Sequence, residues 1–134
     1  MKVLLDSNTC IRFLNQRSQA LIDRLTETPD EDIVVCSVVK AEMFYGSERS
    51  ARRERNLAVQ RAFFARYTSL PFDDLAAEKH ALIRADLAER GQIIGAHDLL
   101  IAAIALAHDL TLVTHNLSEF SRVNGLRLED WEGN

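Results

Sequence analysis

The chain has 134 residues, of which 47% are hydrophobic and 27% are charged, and its formal net charge at pH 7 is -4. These values are ordinary for a globular protein, and the acidic balance argues against a generally basic coat for nucleic acid. No apolar run reaches the roughly 18 residues that span a membrane, and the N-terminus has no signal-peptide pattern. We therefore expect one domain over residues 1–134, located in the cytoplasm.

The first half of the chain predicts two strands, each followed by helices. An apolar strand over 2–6 precedes a helix that carries Cys10 and a second helix that starts at Ser18. The β-branched run over 33–39 is typical of a parallel strand that is covered on both faces. We expect the next helix to carry Glu42 and to weaken near Gly46.

The second half repeats this alternation. We predict a helix over 51–67, a short edge strand before Pro71, and a buried apolar helix over 98–108. The strand over 110–114 is β-branched, and the segment "LRLED" alternates like an edge strand. A helix over 75–90 is expected to bury Leu75, Leu82, Ala85 and Ala88.

The two cysteines lie far apart, and neither belongs to a CxxC or Cys/His pattern. We expect Cys10 and Cys36 to be reduced and buried, and to form neither a disulfide nor a zinc site. Strands that alternate with helices predict an α/β fold with a mostly parallel, roughly five-stranded sheet between helices.

Acidic residues follow several of these predicted strands. Asp6 follows the first strand, Glu42 lies in the helix after the second, Asp98 opens the apolar helix, and 114–116 follow the next strand. Ligands of open parallel sheets bind beyond the carboxyl ends of the strands, so these side chains are expected to converge there.

A cluster of carboxylates favours a bound cation. Two carboxylates about 5 Å apart repel by roughly 3 kcal/mol at an effective dielectric near 20. Mg²⁺ prefers such oxygen ligands, and it can activate water and neutralise a phosphate during displacement. The pattern therefore predicts metal-dependent hydrolysis of a phosphodiester.

Simpler interpretations also exist for each acid and for the whole protein. Asp6 and Asp98 could only cap helices, and Glu42 could be a solvated helix residue. An aspartyl-phosphate phosphatase also uses an aspartate after strand one, but it would want an acid where Asn8 stands. A non-catalytic interaction module, either a receiver-like domain or a domain that only binds RNA, is the third alternative.

Three sequence blocks carry a resemblance to a known family. "LLDSNTCI", "CSVVKAEMFYG" and "IGAHDLLIAAIALAHDLTLVTHN" occur in the order and spacing of the signature blocks of PIN-domain nucleases. More narrowly, the chain resembles the VapC toxins of bacterial type II toxin–antitoxin pairs. The resemblance covers essentially the whole chain and implies a three-layer α/β/α fold.

The resemblance also implies roles for individual residues. Asp6, Glu42 and Asp98 match the metal-binding and catalytic acids of the family. Asn8 and Ser37 match positions that support these acids by hydrogen bonding. Thr114 ends the strand beside the fourth acidic position.

Many PIN domains have an aspartate where this chain has Asn116. The Asn116 amide can coordinate a metal but brings no charge, so a second ion would be held more weakly. Glu119 could supply the missing carboxylate or could face solvent. His97 and His115 flank the cluster and could contact substrate, but neither shows metal-ligand spacing.

The implied activity is Mg²⁺- or Mn²⁺-dependent cleavage of RNA, with initiator transfer RNA as the expected target and arrested translation as the result. The implied partners are a VapB-like antitoxin, a second copy of the chain, and operator DNA bound through the antitoxin. The expected RNA-binding residues are Arg49, Arg52, Arg53 and Arg55. The expected antitoxin groove is formed by Phe13, Leu14, Phe44 and Tyr45.

Overall fold

The computed structural model describes residues 1–133, which form five strands and seven α-helices. The elements are β1 (Val3–Leu5), α1 (Ser7–Leu14), α2 (Gln19–Glu27), β2 (Ile33–Cys36), α3 (Ser37–Glu48), α4 (Arg53–Phe64), β3 (Thr68–Leu70), α5 (Asp74–Glu89), α6 (Ala96–Ala107), β4 (Thr111–Val113), α7 (Leu117–Phe120) and β5 (Leu128–Glu129). The alternation of strands and helices confirms the predicted α/β class.

The five strands form one parallel sheet in the order β3-β2-β1-β4-β5. Val3 of the central strand β1 lies between Ile33 of β2 and Thr111 of β4. The chain leaves β1 towards β2 on one side, and β4 later inserts on the other side. This reversal creates the crevice at the carboxyl ends of β1 and β4 where sheets of this kind bind ligands.

The core lies where the central strands meet the helices. Every residue of β1, β2 and β4 is buried, and so is the segment 101–105 of α6. Full burial of a Leu or Ile side chain contributes about 1.5–3 kcal/mol. Cys10 and Cys36 are both free and buried, as predicted, and burial raises the pKa of each thiol. Within residues 1–133, no helix has the length and apolarity that crossing a membrane requires.

Three predicted boundaries near α3 and α4 were wrong. The strand predicted over 33–39 ends at Cys36, because the chain turns directly into α3 and Val39 is buried as a helix residue. α3 continues through Gly46, which lies in open space and causes no break. The helix predicted over 51–67 is shorter at both ends. β-branched residues occupy the strand and the helix alike, so the local pattern did not mark the junction.

The predicted inward face of α5 was also wrong. Leu75 and Leu82 are 46% and 67% exposed, and Ala85 and Ala88 are exposed as well. The residues of α5 that are buried are Ala76, Ile83 and Leu87. Both sets have helical spacing, and the packing of α5 against α6 selects the second set.

Candidate active site

Asp6 lies in the crevice between the ends of β1 and β4. The residue is only 3% exposed, although it carries a carboxylate. Its Oδ1 accepts a hydrogen bond from the Thr9 backbone N–H at 2.8 Å, and its Oδ2 accepts one from Thr114 Oγ1 at 2.5 Å. The Asp6 N–H donates to the Val113 carbonyl of β4 at 3.2 Å. The two neighbouring strand ends therefore fix this carboxylate rigidly.

Capping explains only part of the Asp6 environment. The contact with Thr9 makes Asp6 the N-cap of α1, as the simpler interpretation proposed. Burial raises the pKa of Asp6, while hydrogen bonds from Thr114 and Thr9 oppose this rise and the charge of Glu42 adds to it. A helix cap needs no such burial, so the position suits a second role.

Glu42 lies in the middle of α3 and faces the starts of two other helices. Its side chain is 28% exposed, and its Oε1 accepts a hydrogen bond from Ser7 Oγ of α1 at 2.5 Å. His97 Nδ1 of α6 lies 3.3 Å from Glu42 Oε2. Glu42 is therefore a tertiary contact residue and does not lie on a solvated helix face.

Asp98 lies in the first turn of α6, whose N-cap is Gly95. The simpler interpretation of Asp98 as an N-cap is therefore wrong. Burial raises the pKa of Asp98 to about 6, and the charges of Glu119, Asp6 and Glu42 contribute to the same rise. Asp98 therefore faces a second carboxyl group, that of Glu119, whose negative charge opposes its ionisation.

Glu119 points back towards the cluster. Its Oε2 accepts a hydrogen bond from Asn116 Nδ2 at 2.6 Å, and its Oε1 accepts one from the Gly95 N–H at 3.1 Å. The Asn116 contact is the main cause of the lowered pKa of Glu119. The Asn116 N–H in turn donates to Thr114 Oγ1 at 2.9 Å. A chain of hydrogen bonds therefore connects Asp6, through Thr114 and Asn116, to Glu119.

The expected hydrogen-bonding supports differ from those in the structure. Asn8 and Ser37 are exposed, and neither side chain hydrogen-bonds an acid within the described part of the chain. Ser7 makes such a contact through its hydroxyl, which donates to Glu42, and Thr9 reaches Asp6 through its backbone N–H, while the Thr9 hydroxyl donates to the Val113 carbonyl. The hydroxyl of Ser7, directly before Asn8, was the available sequence signal. Thr114 supports Asp6 as expected.

The donor set fits a hard divalent cation that keeps part of its water. Asp6, Glu42 and Asp98 form no ion pair with Lys or Arg in residues 1–133. No three Asp, Glu, His or Cys side chains in this range are arranged to hold one ion directly. The cluster is thus looser than a closed site of three ligands. Mg²⁺ commonly binds one or two carboxylates and retains several waters, and this arrangement provides for both.

The expected RNA-binding arginines have different surroundings. Arg53 is paired with Glu48, and Arg49 stacks on the Tyr45 ring with its Cζ 5.4 Å from the ring centroid. Arg52 is exposed at the start of α4. Arg55 lines a groove of about 410 Å³ between α1, α3 and α4, which also reaches Glu42.

The expected antitoxin-binding residues also differ from one another in burial and surroundings. Phe13 and Phe44 are partly buried and pack against the aromatic rings of Phe63 and Phe64. Leu14 lines the 410 Å³ groove, together with Ile11 and Val59, which sequence reasoning missed. Tyr45 is 62% exposed and lies outside that groove.

The two flanking histidines have different neighbours. His97 contacts Glu42, as described above, and lies at the cluster. His115 Nδ1 lies 2.9 Å from Asp130 Oδ2, so its ring is held by the C-terminal segment. Of the two, only His97 has a direct contact with one of the three predicted acids within residues 1–133.

Comparison with known proteins places this geometry in a family. The PIN domain family model matches residues 3–126. A "tRNA(fMet)-specific endonuclease VapC" of Salmonella typhimurium is 38% identical over 131 residues, which are 98% of each chain. A "Ribonuclease VapC2" of Haemophilus influenzae is 37% identical over the same share of both chains.

Solved structures give the same result. The DNA-bound VapBC complex of Salmonella typhimurium contains a chain that superposes with a TM-score of 0.92 at 38% identity, with 98% of both chains covered. VapBC2 of Rickettsia felis, bound to a promoter DNA fragment, gives a TM-score of 0.88 at 32% identity and covers 98% of this chain and 99% of that chain. The predicted fold and family are confirmed: the chain belongs to the PIN-domain family and, within it, to the VapC ribonucleases.

Proposed function

We propose that this chain is the toxin of a type II toxin–antitoxin pair and that it hydrolyses RNA with Mg²⁺, or with Mn²⁺ in its place. The observation that carries the proposal is the meeting of Asp6, Glu42 and Asp98 at one crevice, where no Lys or Arg of residues 1–133 pairs with them. Repulsion between the carboxylates makes such a cluster unfavourable without a cation. A divalent cation bound there could activate water for hydrolysis.

The three acids have different parts in the proposed reaction. Asp6 and Asp98 would hold the ion, Glu42 would accept the proton of the attacking water, and Thr114 keeps Asp6 in place through the 2.5 Å hydrogen bond. A bound Mg²⁺ would lower the pKa of water and neutralise charge on the phosphate. As the water oxygen bonds to phosphorus, the bond from phosphorus to the departing ribose oxygen would break, and that oxygen would take a proton from solvent water. Asn116 and Glu119 provide a second, weaker position for a cation.

The substrate we propose is a transfer RNA, with the anticodon stem-loop of the initiator as the preferred target. The Salmonella relative is named for tRNA(fMet), and it is 38% identical over nearly the whole chain. Arg49, Arg52 and Arg55 are proposed to hold the phosphates, while Arg53 contributes less because it is paired with Glu48. Cleavage of this RNA would stop translation and growth in the cytoplasm.

The 410 Å³ groove is the proposed docking site of a VapB-like antitoxin. Ile11, Leu14 and Val59 give it apolar contacts beside polar residues, and Glu42 is part of its lining, so a segment in the groove would also cover that acid. The VapBC neighbours were solved as complexes, and two of them contain DNA. We propose likewise a homodimer that binds operator DNA through its antitoxin.

The activity can be tested with purified protein and two transcripts, initiator and elongator methionine transfer RNA. We expect specific cleavage of the initiator in Mg²⁺, cleavage in Mn²⁺, and none in EDTA. Asp98→Asn should abolish cleavage without unfolding the protein. Binding of the transcripts without any metal-dependent cleavage would support the alternative of a binding module and contradict the proposal.

The toxin role needs a separate test in cells. Induced expression of the wild-type chain without its partner should stop growth, whereas Asp98→Asn should not. Co-expression of the adjacent small reading frame should restore growth. Equal growth of the wild-type and Asp98→Asn strains would contradict the toxin role, even if the purified protein cleaves RNA.

A further inference from the structure

Glu42 lines two depressions, of which the 410 Å³ groove described above is the larger. The second is a cleft of about 300 Å³ lined by Ala41, Glu42 and Tyr45 of α3 and by His97 of α6. We call it the Tyr45 cleft. Tyr45 does not line the larger groove, so the two depressions share Glu42 and little else.

Tyr45 has no evident role in packing the protein. Its ring is 62% exposed, and it has no partner among the aromatic pairs of the described chain. Arg49, the residue that follows α3, holds the Tyr45 ring. Its guanidinium carbon lies 5.4 Å from the ring centroid, and its Nη1 lies 3.4 Å from the hydroxyl oxygen. An exposed aromatic ring held by a cation is well suited to stacking on a ligand.

The other wall of the cleft is formed by His97. His97 directly precedes Asp98 in the chain. Its side chain is 61% exposed, and its Nδ1 lies 3.3 Å from Glu42 Oε2. Tyr45 is on the same side of α3 as Ala41, four residues earlier, whose small side chain leaves the cleft open. Two rings and a proposed catalytic carboxylate therefore line one small space.

We infer that the Tyr45 cleft receives one unpaired nucleobase of the RNA, stacked on Tyr45, adjacent to the phosphate that is cut. The inference rests on the proposed function and adds a specificity site to it. Single-stranded RNA is recognised mainly by unstacked bases that lie on aromatic or guanidinium planes, and every base can stack in this way. A cleft of about 300 Å³ is at the lower end of small-molecule sites, which suits one base better than a protein segment.

The position of the cleft gives the inference a consequence for the substrate. A base can enter only where it has left its stack, so cutting should be confined to loops, bulges and ends. Arg49 stands behind the ring, where its charge favours a neighbouring phosphate. Perfectly paired RNA of the same sequence should therefore be a poor substrate.

Binding to a fluorescent RNA tests the inference directly. In an Asp98→Asn background, the full chain is titrated with an initiator anticodon hairpin that carries 2-aminopurine next to the cut position. We expect binding with quenched fluorescence, because the base stacks on Tyr45. Tyr45→Leu should remove the quenching and weaken binding by about tenfold or more, whereas Tyr45→Phe should retain both within about threefold.

Two further variants separate stacking from folding and from remote effects. Ala41→Phe keeps Tyr45 but fills the cleft, so it should also prevent quenching. Leu82→Ala removes another exposed hydrophobic side chain, on α5, and should leave binding unchanged. Thermal melts followed by circular dichroism should show that all variants are folded, since Tyr45 and Ala41 are both exposed.

The outcomes distinguish this inference from the proposed function. If Tyr45→Leu cleaves RNA as the wild type does, with unchanged quenching, the inference is wrong and the nuclease proposal stands. Unchanged RNA binding combined with weaker neutralisation by the antitoxin would assign Tyr45 to the partner and also contradict the inference. Tyr45-dependent quenching of an RNA that is never cut in Mg²⁺ would support the cleft and contradict the nuclease proposal.

Discussion

Asp6 and Asp98 lie at the same crevice but have contrasting surroundings. Asp6 is almost fully buried, and hydrogen-bond donors reach both of its oxygens, from the Thr9 N–H and the Thr114 hydroxyl. Asp98 instead faces the carboxyl group of Glu119 and the charges of Asp6 and Glu42, and its pKa rises to about 6. Hydrogen bonds offset part of the cost of burying the first carboxylate, whereas every neighbour that shifts the pKa of the second raises it.

This difference separates the part of the proposed metal site that folding alone positions from the part that, in our proposal, a cation stabilises. Asp6 is anchored by β1, β4 and α1, so its position is a result of folding. Asp98 is placed where its surroundings disfavour ionisation. A protein that only needed a stable α6 would gain from a neutral residue there, and positions that sacrifice stability in this way are typical of functional sites.

The largest expected effect is the loss of cleavage in Asp6→Asn, which should match the loss in Asp98→Asn. Asparagine caps helices about as well as aspartate, so α1 should still begin at the same place. The change removes the negative charge that holds the ion, and we expect RNA cleavage to fall by about 100- to 1,000-fold. Cleavage rates are measured at saturating Mg²⁺. A variant with near wild-type activity would show that Asp6 only caps the helix.

Thr114→Val should have the next largest effect. It removes the hydroxyl donor to Asp6 while preserving the shape of β4, and loss of such a supporting contact costs about 10- to 100-fold in metal affinity or activity. Thr111→Val is the matched control, since Thr111 is a buried threonine at the start of β4, whereas Thr114 directly follows its end. Equal losses in the two variants would mean that the strand, and not the Asp6 contact, is responsible.

Asp98→Asn should stabilise the protein when metal is absent. The folded pKa of Asp98 is about 6 and the ordinary value is 3.8, so the stability that comes from this residue is present at low pH and is lost as pH rises through about 6. Because Asp98 is partly exposed, we expect the variant to gain on the order of 1–2 kcal/mol over wild type at about pH 8, and less at about pH 5.

Urea unfolding in EDTA, with and without added Mg²⁺, measures this difference. Mg²⁺ should reduce the difference in free energy of unfolding between wild type and Asp98→Asn at about pH 8, because only the wild type gains the cation. Cleavage by the wild type should also decline below about pH 6, because a proton then competes with the metal for Asp98. A gap that does not depend on pH would show that Asp98 acts through packing alone.

Asn116→Ala should have the smallest effect. The variant loses the hydrogen bond to Glu119 at 2.6 Å, which lets the pKa of Glu119 rise towards its ordinary value. We expect a loss of about five- to tenfold in cleavage, less than in Glu42→Ala, since one such bond contributes about 1–1.4 kcal/mol. Cleavage is compared over a range of Mg²⁺ concentrations. The opposite ranking of the two variants would place Asn116 among the principal ligands.

Local sequence patterns were sufficient for the order of elements and for the meeting of the three acids. The apolar runs that end at Asp6 and Thr114 predicted strand ends at the same end of one sheet, because the carboxyl ends of parallel strands lie on one side. That the two strands are neighbours is seen only in the structure. Glu42 was expected there because its helix follows the next strand. The spacing of apolar residues did not define the end of β2, because valines occupy both the strand and the first turn of the helix that follows.

The sequence by itself determined the alternation of strands and helices, the family, and the three acids that come together. Tertiary structure decided which hydroxyls support those acids, that Glu119 turns inward, that α5 buries Ala76, Ile83 and Leu87, and that Tyr45 stays exposed. The reason is physical: periodicity shows that a face is apolar, but only packing between distant segments selects the face that is buried and the direction in which a polar side chain points.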